Sequence, residues 1–111
     1  MDNAFIIDNL LEQEEDIRIA FKANPNIDTI GKTITAFINT QGGDLLLGVD
    51  EHKKIVGVKN APQWISRINE MISTDIKPLA PVSTQIVTYK KREIILISIW
   101  EGSKKPYQYK D

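Results

Sequence analysis

The chain has 111 residues, 41% of them apolar and 26% charged, with 14 basic and 15 acidic side chains. That length suits a single domain with one small core, and the composition is ordinary for a soluble globular protein. With no cysteine, a disulfide framework, a thiolate metal site and a cysteine nucleophile are all excluded, and a reducing compartment fits.

The N-terminus, MDNAFIIDNLLEQEED, is acidic where a secretory signal is basic. No apolar run approaches the length of a membrane span, so a cytoplasmic location is expected. Phe5, Ile6, Leu10 and Leu11 are spaced as on a helix. Ile17, Ile19 and Phe21 then alternate with Asp16, Arg18 and Lys22, the period of a strand with one wet face. Asn24-Pro25 fits a helix start, with Asn as the cap and Pro in the first turn. Ile27, Ile30, Ile34, Phe37 and Ile38 follow at helical spacing and predict a helix over 25–40.

Gly42-Gly43 breaks that helix, because glycine takes up conformations in which a β-carbon would clash. Residues 45–49 are apolar on both faces, as in a central strand covered on each side. Residues 50–54 make a charged turn, and 55–58 are predicted to pair back as a hairpin. A second helix is expected from Asn60-Ala61-Pro62, burying Trp64, Ile65, Ile68, Met71, Ile72 and Ile76 and stopped by Pro78. Two further strands, Val82–Tyr89 and 93–100, are joined by Lys90-Lys91-Arg92, and the tail from Glu101 looks irregular. The order β-α-β-β-α-β-β predicts an α+β domain over residues 1–111, a mixed sheet of about five strands with two main helices packed on it.

Charge is unevenly shared. Residues 1–52 carry three basic against ten acidic side chains, and residues 53–111 carry eleven against five. A polyanion would find attraction only in the second half, although solvated surface gives the same counts. The basic clusters Lys53-Lys54, Lys90-Lys91-Arg92 and Lys104-Lys105, the last near Tyr107 and Tyr109, supply phosphate attraction and a ring for base stacking. Two of the three are predicted turns, where lysines also gather to stay hydrated.

Other motifs are weaker. Gly31-Lys32-Thr33 resembles the end of a phosphate loop, but it lies inside a predicted helix and the earlier glycine is replaced by Asn26. His52 is the only histidine, too few ligands for zinc. Glu12, Glu14, Glu15 and Asp16, with Asp50 or Glu51, have the chemistry to hold a hard cation if the fold gathers them; otherwise they form an acidic, solvated segment. No metal ligand set and no cofactor is indicated.

The run AFINTQGGDLLLGVDEHKKIVGV, the preceding Ile30-Gly31-Lys32-Thr33-Ile34, the Phe21-Lys22 pair and the later Lys105-Pro106-Tyr107 resemble the Schlafen-type AlbA-like domain. The resemblance covers roughly residues 10–109. It implies a DNA-binding module of the kind found in transcriptional regulators and RecG-like helicase-related proteins, and it allows this chain to be the N-terminal piece of a longer regulator. It also implies a second reading, because one branch of the family is associated with endoribonuclease activity through two glutamates and an aspartate. These positions fall at Glu15, Ala20 and Asp50, so the second carboxylate is missing; Glu14 or Glu51 would have to replace it. The expectation is a non-catalytic domain that contacts DNA or RNA through Lys22, Lys53, Lys54, Lys90, Lys91, Arg92, Lys104, Lys105 and Tyr107. Homodimerisation through a strand edge is a further expectation, as is the absence of a membrane partner.

Overall fold

In the computed structural model, which describes residues 4–13 and 18–110, the elements run α1 (Ala4–Leu11), β1 (Ile19–Lys22), α2 (Ile27–Ile38), β2 (Gly43–Leu47), α3 (Ala61–Asp75), β3 (Ile76–Lys77), β4 (Val82–Tyr89), β5 (Arg92–Ile99) and β6 (Gln108–Tyr109). A four-stranded mixed sheet has the order β1-β2-β5-β4, and β3 pairs with β6 in a separate two-stranded sheet. The α+β class with a mixed sheet is therefore as expected from the sequence.

β2 is central, parallel to β1 and antiparallel to β5. Leu45 and Leu47 point into the core shared with α2 and α3, and Leu46 points into the core under α1. All three are fully buried, each contributing roughly 1.5–3 kcal/mol by transfer from water. Both faces are dry, which is why this strand reads as a continuous apolar run. α2 is capped by Asn26, whose side chain accepts from the Thr29 N–H at 3.0 Å. The expected cap at Asn24 is thus displaced by two residues. Only Asn26 reaches the amide three residues into the helix, and Pro25 precedes the cap instead of opening the first turn.

The segment expected to complete a hairpin at 55–58 stays outside the sheet. Val49 and Ile55 form one antiparallel bridge. Thereafter the Val56 and Gly57 N–H groups both donate to the Gly48 carbonyl, at 2.8 and 2.9 Å, and the Val58 N–H donates to Glu93 O at 2.8 Å. Gly48 and Gly57, both at positive φ, steer the chain out of the ladder. A further strand pairing occurs instead in the tail expected to be irregular, where Ile76 and Lys77 meet Tyr109 and Gln108.

That tail is fastened to α2 by side chains. The Asn39 carboxamide donates to the Tyr107 carbonyl at 2.9 Å and accepts the Tyr107 N–H at 2.7 Å, imitating a strand pairing. Tyr109 lies against Gly31, where an added β-carbon would fall 2.3 Å from its ring. The Tyr109 hydroxyl donates to Asp28 at 2.6 Å, and Lys110 pairs with the same carboxylate at 3.1 Å. These two partners, Tyr109 first, hold the Asp28 carboxyl below its ordinary pKa. Gly31-Lys32-Thr33 is accordingly a packing site in mid-helix, with its amides committed to the helix.

Replacing Asn39 with Asp removes the donor to the Tyr107 carbonyl and sets a negative oxygen beside it. Urea denaturation is expected to show a loss of about 1–3 kcal/mol, and an unchanged midpoint would disprove the clamp.

Candidate nucleic-acid interface

The topology sorts the cations predicted from sequence into two groups. β1 and β2 end where β5 begins, because Lys22 is level with Leu47 and Leu47 with Ile95. At that end lie Lys22, the 50–54 turn with Lys53 and Lys54, and the β4–β5 hairpin tip with Lys90, Lys91 and Arg92. Lys104 and Lys105 follow the other end of β5, about 23 Å away along seven residue steps of strand. Lys105 is paired with Glu101 and also approaches the Thr40 carbonyl at 3.4 Å. Tyr107, proposed as a stacking ring, is only 5% exposed and belongs to the main core. Its hydroxyl accepts the Lys104 N–H at 3.3 Å. Lys104, Lys105 and Tyr107 are thus separated from the other cations by the length of β5, with the Tyr107 ring largely buried.

At the first end, the loop that leaves the sheet forms the floor of a groove. One hollow of about 460 Å³ lies between residues 56–60 and the start of β5, with Lys59, Lys91 and Arg92 on its walls and Glu93 as its one lining acid. A second, of about 480 Å³, lies on the other side of the same loop, bounded by residues 23–25 just after Lys22 and by Trp64. A third, of about 290 Å³, continues past Asn60, Gln63, Trp64 and Arg67 on the first turns of α3. Gly57 permits the approach of the hairpin, since a β-carbon there would stand 3.1 Å from Arg92 Cβ. Arg92 also reaches the Val56 carbonyl at 3.4 Å. The Arg67 guanidinium lies 4.5 Å from the centre of the Trp64 ring, a cation–π distance.

Lys59, Trp64 and Arg67 were not among the residues singled out from sequence. Trp64 reads there as part of the buried stripe of α3, and it is indeed partly packed on the core. Its only signal as a surface residue is the arginine three positions on, one turn along the same face.

The hairpin tip has an unusual backbone. Lys90 and Lys91 occupy the two-residue loop at φ 50 and 66, and Lys53 in the neighbouring turn has φ 65. Two-residue hairpins of this hand favour Asn-Gly, because side chains with a full β-carbon are strained at positive φ. Such strain concentrates at functional sites.

Of the carboxylates implied by the nuclease resemblance, Asp50 and Glu51 fall among the described residues. The Asp50 carboxylate is engaged by its own turn, accepting the Lys54 N–H at 2.9 Å and the His52 N–H at 2.8 Å. These bonds, the one from Lys54 foremost, lower its pKa. Ala20 is 8% exposed and faces the core under α2 and α3. Glu14, Glu15 and Asp16 lie outside the described residues. Among the described residues, no three His, Asp or Glu side chains form a group suited to a metal ion. His52 is exposed and lies 3.7 Å from the equally exposed Glu51. Among the same residues, no helix is long and apolar enough to cross a membrane.

The profile of the family described as Schlafen, AlbA_2 matches residues 13–111. Among solved structures, the N-terminal domain of a protein from Nitrosomonas europaea, named as related to the ATP-dependent DNA helicase RecG, superposes with a TM-score of 0.79 at 21% identity, covering 100% of this chain and 82% of that one. The DIP2311 protein from Corynebacterium diphtheriae superposes with a TM-score of 0.60 at 17% identity, covering 93% of this chain but 22% of that longer chain. No curated protein matches. At these identities the structural likeness speaks for the fold.

Exchanging Lys90-Lys91 for Asn-Gly relieves the backbone strain. The double variant is expected to gain about 1–3 kcal/mol in thermal or urea unfolding. A loss of stability would show that the lysines are not strained there.

Proposed function

The chain belongs to the Schlafen, AlbA_2 family, and on that footing we propose that it is a non-catalytic nucleic-acid-binding module whose interface is the groove at the Lys22 end of the sheet. The observation that carries this reading is convergence. Lys59 from the loop before α3 and Lys91 and Arg92 from the hairpin tip, distant in sequence, line one hollow with Glu93 as its one acid. Lys22 and the 50–54 turn, whose Lys53 and Lys54 accompany Asp50 and Glu51, lie at the same end of the sheet. Lysines and arginines so placed neutralise successive phosphates and release their counterions, a favourable term that needs no base contact. Lys22, Lys53, Lys54, Lys90, Lys91 and Arg92 serve as backbone contacts, joined by Lys59; Lys104, Lys105 and Tyr107 have structural roles. A DNA-binding role within a regulator, in the cytoplasm, is the setting this reading favours.

The methyl group at Ala20, and Asp50 Oδ1 taken up by two amides of its own turn, argue against hydrolysis. Activating water on a metal needs free carboxylate oxygens facing one point. Cleavage of structured RNA in Mg²⁺, abolished by Asp50→Asn, would overturn the non-catalytic assignment.

Self-association is a second reading, supported by β4. It is an eight-residue edge strand with no charged residue and no proline, and natural edges are usually blunted by such residues. Two copies related by a two-fold axis would pair antiparallel along it. Light scattering at tens of micromolar is expected to give a dimer that the edge substitution Thr88→Lys dissociates; a wild-type monomer refutes this.

Fluorescence anisotropy with labelled DNA and RNA oligonucleotides tests the main reading. Affinity is expected in the range of about 10⁻⁴–10⁻⁶ M at physiological salt, falling steeply as salt rises. Lys91→Ala and Arg92→Ala should each lower the salt slope by about one, whereas Lys104→Ala should leave it unchanged. Absence of binding at low salt, or binding indifferent to salt, rejects the assignment.

A further inference from the structure

We propose that the Trp64–Arg67 pair is a base-stacking platform, which makes the groove selective for unpaired over double-stranded nucleic acid. The inference rests on the nucleic-acid reading above and adds to it the form of the ligand.

Four observations meet at this point. First, the indole is partly buried against the main core, so its orientation is fixed by packing and little freedom is lost when a ligand arrives. Second, Arg67 lies over the ring at 4.5 Å and is itself exposed. A planar guanidinium over an indole offers a second π-face, and bases stack on such faces irrespective of sequence. Third, Asn60 precedes α3 in the left-handed region, at φ 57, and its side chain makes no capping bond. Asparagine at that position ordinarily caps the helix. Here Asn60, together with Gln63, lines the same hollow as Trp64 and Arg67. A carboxamide carries both donors and an acceptor, which suits the edge of a base that has no pairing partner. Fourth, this hollow adjoins the basic one. Asn60 lines both, and Lys59, Lys91 and Arg92 stand on the far side.

The charges also give the track a direction. Beyond Arg67, the next hollow along α3 is lined by Glu70 and Asp75, which repel phosphates. A strand with a base on Arg67 therefore runs its backbone toward Lys59 and the hairpin. A duplex cannot use this arrangement, because its bases are stacked on one another and their pairing edges are occupied.

The test uses the two tryptophans. In a Trp100→Phe protein, Trp64 is the only remaining indole, and Trp100 is 57% exposed, so its loss leaves the core intact. This protein is titrated with a thymidine 12-mer and with a blunt duplex of equal length, reading anisotropy of the labelled nucleic acid and Trp64 emission in parallel. The single strand is expected to bind at least about tenfold tighter than the duplex and to quench Trp64. Arg67→Lys keeps the charge but removes the planar face, on an exposed side chain whose exchange spares the fold. It should bring the two affinities within about twofold of each other by weakening single-strand binding. Equal affinity of the parent for both forms, an Arg67→Lys variant that keeps its preference, or binding without any change in Trp64 emission each overturns the platform while leaving nucleic-acid binding in place. Failure to bind either form overturns both.

Discussion

No β-carbon can be accommodated at residues 42 and 43, and the sheet is assembled around that fact. At Gly42, with φ +76, an added carbon would fall 2.5 Å from the Ile99 carbonyl oxygen; at Gly43 it would fall 2.5 Å from the Arg18 carbonyl oxygen. The chain leaving α2 must turn within this space and enter the sheet between two strands already close on either side. Gly42 N–H also closes the helix end, donating to Phe37 O at 2.7 Å, while Asp44 N–H takes up Arg18 O at 2.9 Å. With β2 placed in the middle, three leucines are buried on two faces at once, and β1 and β5 are held in a register that brings the Lys22 end beside the hairpin tip.

Several residues that look like chemistry in one dimension have mechanical work in three. Gly31 makes room for Tyr109, and Gly102 makes room for Tyr107, whose ring an added β-carbon would approach to 2.1 Å. Asn39 and Tyr107 exchange two hydrogen bonds across 68 positions of sequence. The phosphate-loop look of Gly31-Lys32-Thr33 and the stacking look of Lys105-Pro106-Tyr107 dissolve for the same reason. In both, the residue that draws attention is occupied by packing, and an occupied group has nothing to offer a ligand.

The electrostatic pattern has the same origin. A net charge of -1 gives no long-range pull on a polyanion, so any attraction has to come from local arrangement. The sheet collects cations at one end and leaves Lys105 at the other, paired with Glu101. Left-handed backbone at Lys53, Lys90 and Lys91 places cations where glycine or asparagine would be less strained, so the charge at these tips comes at a cost in stability.

The sequence by itself determined the class of the fold, the main helices and the long strands, because each is written in local spacing. The apolar period of α2, the continuous run of β2 and the alternation in β4 need no knowledge of their neighbours. It determined the family resemblance on the same kind of evidence, a contiguous helix–Gly-Gly–strand pattern. Tertiary structure alone decided what depends on partners far along the chain. The segment at 55–58 left the ladder because Gly48 and Glu93 took its amides, and the tail became a strand because Ile76 and Lys77 were there to pair with it. The groove was decided in the same way: Trp64 belongs to the apolar stripe of its helix with Arg67 one turn on, and the approach of the loop sets Lys59 on the hollow it lines. Spacing along one element reports which way a side chain faces, but what it faces is set by elements folded in from elsewhere.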